Sequence, residues 1–307
     1  MSKYMGVWKS IVVLLVCAAA IAAMTGCESD GAKPAEKPEV AATIRKDPPP
    51  TYVATARAFN EKVRYLDRIF ARANLKLTYF DRDGVEKSED PEGRLQIVRP
   101  NKLALSLGKA GTTLFWFGSD ADRYWWLDMS DSKKMFAAVG KHANYGASAA
   151  KRIGIAVQPL DLIALLGVVP LDASAPGATQ WSADGQQLGV TTALGTRGTL
   201  RLWLEPTSLD VQEVEIFNTK RELELTARHE GSQSVEITRD LPPGTKVARI
   251  RISERVYVWH YESKTEVRLT LSGVKDGPVS DKAFDLEELL SKFEIQKVID
   301  LDAPRGQ

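Results

Sequence analysis

Cysteine is almost missing from these 307 residues: Cys17 and Cys27 are the two present, both near the N-terminus, so no disulfide framework holds the fold. Histidine is scarce too. His142, His229 and His260 have no cysteine neighbour, and neither a His-x-x-x-His nor a Glu-x-x-His spacing occurs, so the sequence carries no zinc signature. No apolar run reaches the 18 residues of a membrane-spanning helix. The chain also lacks a Gly-x-Ser-x-Gly elbow, a Gly-x-x-x-x-Gly-Lys-Ser/Thr loop and a Gly-x-Gly-x-x-Gly turn. An excess of either charge is missing as well: 41 Lys and Arg stand against 40 Asp and Glu, which removes the electrostatic footprint of a nucleic-acid binder. Together these absences predict a non-enzymatic protein with no cofactor, no metal site and no nucleic-acid partner. The remaining acids fit that reading. Glu86, Glu89 and Asp90, and the pair Glu287 and Glu288, read as exposed turns or helix faces, and Asp120 and Asp122 flank a turn.

What is present is clearest at the start. Lys3 and Lys9 precede the 14-residue apolar run Ile11 to Met24, about 21 Å long as a helix against a bilayer core of about 30 Å. The run is a signal h-region and ends at Met24-Thr25-Gly26-Cys27, which resembles a bacterial lipobox. Residues 1–26 are therefore expected to be a lipoprotein signal peptide and Cys27 the acylated residue. Attachment to the membrane then rests on lipid rather than on a polybasic patch. Residues 27–50, rich in Pro and closing on Pro48-Pro49-Pro50, read as a solvated tether. The expected location is the cell envelope, at the outer membrane facing the periplasm or at the outer leaflet of the cytoplasmic membrane.

Residues 51–302 carry the folded pattern, with 303–307 as a tail. Tyr52 to Ala73 has no Gly or Pro and places Ala56, Phe59, Val63, Leu66, Ile69, Phe70 and Ala73 at helical spacing, which predicts one long amphipathic helix. Strands follow at Leu75–Phe80, Arg94–Val98, Lys102–Leu107, Thr112–Phe117, Tyr124–Met129 and Lys133–Val139. Gln158 to Leu166 reads as a short apolar helix opened by Pro159 and closed by Gly167. A second series of strands is expected from Gly189 to Ser272, with period-two alternation in Glu222 to Thr226 and Ala248 to Ile252. Gly195-Thr196-Arg197-Gly198 reads as a tight turn and nothing more. The fold class is mainly β (α+β): a half-open, strongly curved antiparallel sheet, an incomplete β-barrel, with a long N-terminal helix and short lid helices.

Aromatic side chains concentrate in one hairpin, where Phe115, Trp116, Phe117, Tyr124, Trp125 and Trp126 point alternately to opposite faces. Both faces must therefore be covered. Trp203 and Trp259 fit an outer or an inner face equally well.

The order of these features is similar to the LolA/LolB-like superfamily. The likeness rests on the N-terminal helix, Arg99-Pro100 before a strand, Gly111 to Phe117, the apolar helix around Leu160 to Leu166, and Phe284 with Val298-Ile299-Asp300-Leu301, and covers about Ala56 to Asp302. It departs from the family in Gly140 to Gly154 and in extra C-terminal strands. The resemblance implies a half-barrel closed on one side by helices, holding an acyl chain, lipid or lipoprotein in an apolar cavity. Cys27 aligns the chain with the anchored receptor type. The cavity-lining candidates are Leu114, Trp116, Trp125, Trp126, Leu162, Ile163 and Leu166, with Gln158 to Leu166 as lid or plug. The alternative is a structural or regulatory lipoprotein whose interior is filled by its own side chains and whose surface contacts another envelope protein.

Overall fold

The computed structural model describes residues 47–80, 85–145, 157–237 and 250–303. The signal peptide, Cys27, most of the tether, the turn at 81–84 and the greater part of Gly140 to Gly154 lie outside the described residues.

A helix, α1, spans Tyr52–Val63, and Thr51 caps it by accepting from the Ala54 amide at 3.4 Å. The long helix expected to reach Ala73 ends ten residues early, because Arg68 begins a strand. From Ile69 onward the buried residues are Ile69, Ala71 and Ala73, alternating with exposed or half-buried Arg68, Phe70, Arg72 and Asn74. Ile69 and Ala73, four residues apart, satisfy a helical period and a strand period at once, whereas Phe70 fits the helical one alone. Pairing with two neighbouring strands decides for the strand.

The strands are β1 (Arg68–Phe80), β2 (Glu86–Glu89), β3 (Glu92–Val98), β4 (Lys102–Lys109), β5 (Thr112–Ser119), β6 (Arg123–Asp128), β7 (Phe136–Lys141), β8 (Gly177–Trp181), β9 (Leu188–Ala193), β10 (Thr199–Leu204), β11 (Val211–Phe217), β12 (Leu223–Glu230), β13 (Gln233–Ser234), β14 (Glu236–Ile237), β15 (Arg251–Ile252), β16 (Arg255–His260), β17 (Thr265–Asp276) and β18 (Val298–Asp300). Among the described residues, two further helices are α2 (Pro159–Leu165) and α3 (Leu286–Lys292). All the strands except β13 and β15, which pair with each other, form one sheet, whose main path is β18-β7-β6-β5-β4-β3-β1-β17-β16-β12-β11-β10-β9-β8. The pairings are antiparallel except β18 with β7 and β14 with β17. The path ends on β18 and β8, so the sheet is open.

It is also strongly curved. Helix α2 touches β4, β5 and β11, and β4 and β11 lie six strand steps apart along the path. Laid flat, those steps would span about 29 Å, while a seven-residue helix is about 10 Å long. The sheet therefore wraps around α2. Its inner face forms one apolar cluster with α1 and α2, drawing Leu95, Leu105, Val190, Leu202, Val214 and Leu271 into contact with Phe59 and Ile163.

Among the described residues, the outer face is covered in one place. Behind β4 to β7, the 3-10 turn Asp281–Phe284 and α3 lay Phe284, Leu286 and Leu289 on Trp116, Trp125 and Leu127. Asp285 caps α3 by accepting from the Glu288 amide, with Glu287 and Glu288 in its first turn, the favourable end for negative charge. Gly118 makes room for this layer: a β-carbon there would stand 2.4 Å from the Trp125 ring. At the far edge, residues 47–50 run beside β8, where Thr179 Oγ1 donates to the Pro50 carbonyl and Trp181 Nε1 to the Asp47 carbonyl.

Candidate functional site

The concave interior is the candidate site, and α2 is its centre. Pro159 suits the first turn of a helix, where its missing N–H leaves no orphan, and a Gly167 with φ of 65° follows its end. Seven residues are too few for a helix to persist alone, so tertiary contacts hold α2 in place. Ile163, Ala164, Leu165 and Leu166 are buried in the apolar cluster, and Leu160 and Leu162 pack against it half-buried.

Polar groups fasten α2 and the loop behind it. At the N-terminal end, the Arg197 guanidinium pairs with the buried Asp161 carboxylate. With its amide oxygen turned toward Arg197, Gln158 accepts from Arg197 Nε at 2.9 Å. Burial lowers the Arg197 pKa to about 10, with Glu224 and Tyr145 acting in the opposite direction. The 195–198 turn is thus more than a connection: it delivers the cation that holds α2. The expectation of a plain turn is corrected here. At the C-terminal end, His229 Nε2 lies 2.9 Å from the Leu165 carbonyl and its Nδ1 2.8 Å from Ser253 Oγ. A carbonyl only accepts, so Nε2 carries the proton and Nδ1 accepts from the serine. Burial pushes the His229 pKa down to about 4, so the ring is neutral.

The loop after α2 is tied to the rest of the fold. Arg99 Nη1 donates to the Val168 carbonyl at 2.6 Å, and the Asn60 side chain from α1 both donates to and accepts from the Leu171 backbone at 2.7 Å. Tyr52 Oη donates to the Asp172 carbonyl at 2.9 Å and lies 3.0 Å from Thr192 Oγ1. Below the ends of α1 and α2 a cavity of about 260 Å³ remains, lined by Phe59, Lys62, Leu166, His229, Arg251 and Ser253. Lys62 there pairs with Asp210, and burial lowers its pKa. A second, more open groove of about 470 Å³ lies beside the β2–β3 junction, lined mostly by polar side chains such as Lys76, Glu92, Lys109 and Arg268.

The predicted site residues divide between the two faces. Trp126, Leu162, Ile163 and Leu166 meet in the interior, where Trp126 stacks on Phe115 at 5.2 Å and abuts Phe117. Trp116 and Trp125 lie on the opposite face under α3, with Trp116 6.0 Å from the Phe293 ring. Leu114 shares the strand parity of Trp116 and is half-buried. Asp120 and Asp122 close a turn: the Asp120 carboxylate accepts from the Asp122 and Arg123 amides. Among the described residues no group of His, Cys, Asp and Glu is placed to hold a metal ion. Arg197, Asp161 and His229 were not singled out by sequence reasoning. Their signals were an acid inside an apolar helix, which demands a partner, and a histidine in phase with the inward Leu225 and Ala227.

No family model matches the sequence, and no curated protein is detectably similar to it. Solved structures are. A domain assigned to outer membrane lipoprotein sorting in Vibrio parahaemolyticus superposes with a TM-score of 0.53 at 12% identity, covering 77% of this chain and 97% of that one. A LolA superfamily protein from Nitrosomonas europaea gives 0.46 at 14% identity, over 76% and 98%. A DUF1329 family protein from Desulfovibrio piger gives 0.44 at 12%, over 78% and 97%. The likeness is one of fold, and the first superposition carries it: this chain has a LolA/LolB-like fold.

Proposed function

We propose that this protein is a lipid-anchored, non-enzymatic lipoprotein of the cell envelope whose curved sheet takes up an acyl chain or the lipid of a lipoprotein. The observation that carries the reading is a continuous apolar inner face closed by a helix too short to be stable alone. The fold likeness to a domain assigned to lipoprotein sorting supports it, as does the lipobox-like sequence ending at Cys27. In this reading the lipid displaces α2, and Trp126 faces the bound chain. The anchor places the domain at the outer membrane facing the periplasm, the outer leaflet of the cytoplasmic membrane being the alternative.

The energetics set a threshold. Withdrawing Ile163, Leu165 and Leu166 from the interior costs about 6 kcal/mol, at about 2 kcal/mol for each side chain. Each acyl methylene returns about 0.8 kcal/mol, so about eight are needed to match the apolar loss alone, before the Arg197 and His229 contacts of α2 are counted. Lipopeptides carrying chains longer than that should raise the melting temperature, as a ligand bound only by the folded state does, and shorter ones should not. Absence of stabilisation at every chain length contradicts the reading.

One observation favours a second reading. The interior is filled by the protein's own side chains, which suits a structural or regulatory lipoprotein that contacts another envelope protein through its surface.

A further inference from the structure

The outer face of the second half of the sheet is aromatic where an antiparallel sheet facing water is ordinarily polar. Trp203 on β10, Phe217 on β11, and Tyr257 and Trp259 on β16, with Tyr261 just past its end, alternate with buried inner residues and so point outward. Two of them stand in solvent: among the described side chains, Trp259 (36% exposed) and Tyr261 (46%) are the exposed aromatics. On the other half of the sheet, the outward Trp116 and Trp125 are covered by α3. Nothing comparable in the described chain covers this patch.

The groups between the rings say what would. Cross-strand neighbours set Glu213 beside Trp203, Arg228 and Arg268 on either side of Tyr257, and Thr226 and Glu266 on either side of Trp259. With Arg201 opposite Glu215 and Arg255 opposite Glu230, guanidiniums and carboxylates balance in cross-strand pairs over the face. That balance gives neither an anionic lipid surface nor a polycation a reason to bind. It does supply donors and acceptors in alternation, next to apolar ring faces. A saccharide needs both, since it presents a C–H face to stack on an aromatic and a rim of hydroxyls that donate and accept.

The rings are also held. Glu215 accepts from Trp203 Nε1 and from Arg201 Nη1, both at 3.1 Å, and the Arg201 guanidinium lies 4.9 Å from the centre of the Phe217 ring. Tyr261 Oη lies 3.2 Å from Thr226 Oγ1. Trp259 and Tyr261 stand 84° to one another with centroids 6.5 Å apart, a corner with one wall to stack on and one to abut. Gly189 lets Trp203 lie flat over β9, since a β-carbon there would be 2.7 Å from its ring. From β10 to β16 is three strand steps, about 14 Å. We infer that this outer face binds a neutral oligosaccharide laid across strands β10 to β16, with Trp259 and Tyr261 as the stacking corner.

The test uses the full chain in a sugar-free detergent, titrated calorimetrically with neutral oligosaccharides of glucose, N-acetylglucosamine, mannose and galactose, and separately with anionic and zwitterionic vesicles. The inference predicts saturable binding to at least one oligosaccharide, weakened tenfold or more in Trp259→Ala and severalfold in Tyr261→Ala. Both variants should melt at the wild-type temperature, because neither side chain is in the core. Failure of the whole panel overturns it. So does glycan binding that survives both substitutions, or Trp259-dependent binding to vesicles without any to sugar, which would make the patch a membrane contact.

Discussion

His229 shows how one inward side chain couples the sheet to the helix it surrounds. Its neutral ring bridges Ser253 and the last turn of α2, and burial holds its pKa near 4 against 6.5 in an unfolded chain. Between those values the unfolded state binds a proton that the folded state does not, so stability is lost as pH falls from about 6.5 toward 4 and is unaffected above that window. The depression corresponds to about 3 kcal/mol. His142 and His260 are shifted the same way by burial and add to the slope. In His229→Gln, chemical denaturation at several pH values should show the loss between pH 6.5 and 4 reduced by about 3 kcal/mol, against a modest cost near pH 7.5. An unchanged pH slope would mean that this histidine is not held neutral. Its inward direction was readable in the alternation of Leu225, Ala227 and His229; its partners come from residues 64 and 24 positions away and were not.

Strands were the most legible elements, because a period of two together with Gly, Asn and Asp punctuation marks both their bodies and their ends. Lys102 to Leu107 and Thr112 to Phe117 were read to within two residues of their boundaries. The N-terminal helix was overextended because Ile69 and Ala73 serve either period, and only pairing with β3 and β17 selects the strand. Helix α2 was placed from Pro159 and Gly167, yet its fastening was invisible, since Arg197 is distant in sequence and sits in what reads as a turn. That ion pair predicts a non-additive result. Removing one partner, as in Arg197→Met, should cost about 3 to 5 kcal/mol because Asp161 is left buried and unpaired. The double change Arg197→Met with Asp161→Leu should recover most of that loss in the same melting or urea experiment. Additive losses would show that the two side chains do not depend on each other.

At the scale of the molecule, the number and spacing of the strands, with a long N-terminal helix and short lid helices, predicted a strongly curved, half-open sheet, and a curved open sheet is the architecture found. Which aromatics face inward was not legible, because consecutive Trp and Phe in one hairpin satisfy either parity. Trp126 turns to the interior and Trp116 and Trp125 to α3 only because β6 pairs in one register with β5 and β7. The proposed anchor is tested apart from the fold: palmitate labelling of the wild-type chain should vanish in Cys27→Ser, and retained label would refute the assignment of Cys27. The measurement that bears most directly on acyl binding is native mass spectrometry of the full chain purified from cell envelopes. We predict a non-covalent adduct with the mass of an acyl lipid, released as collision energy rises and distinct from any covalent N-terminal modification. A chain that carries no such adduct, and acquires none when mixed with long-chain lipopeptide, would contradict acyl binding and leave the filled interior as the core of an interaction protein.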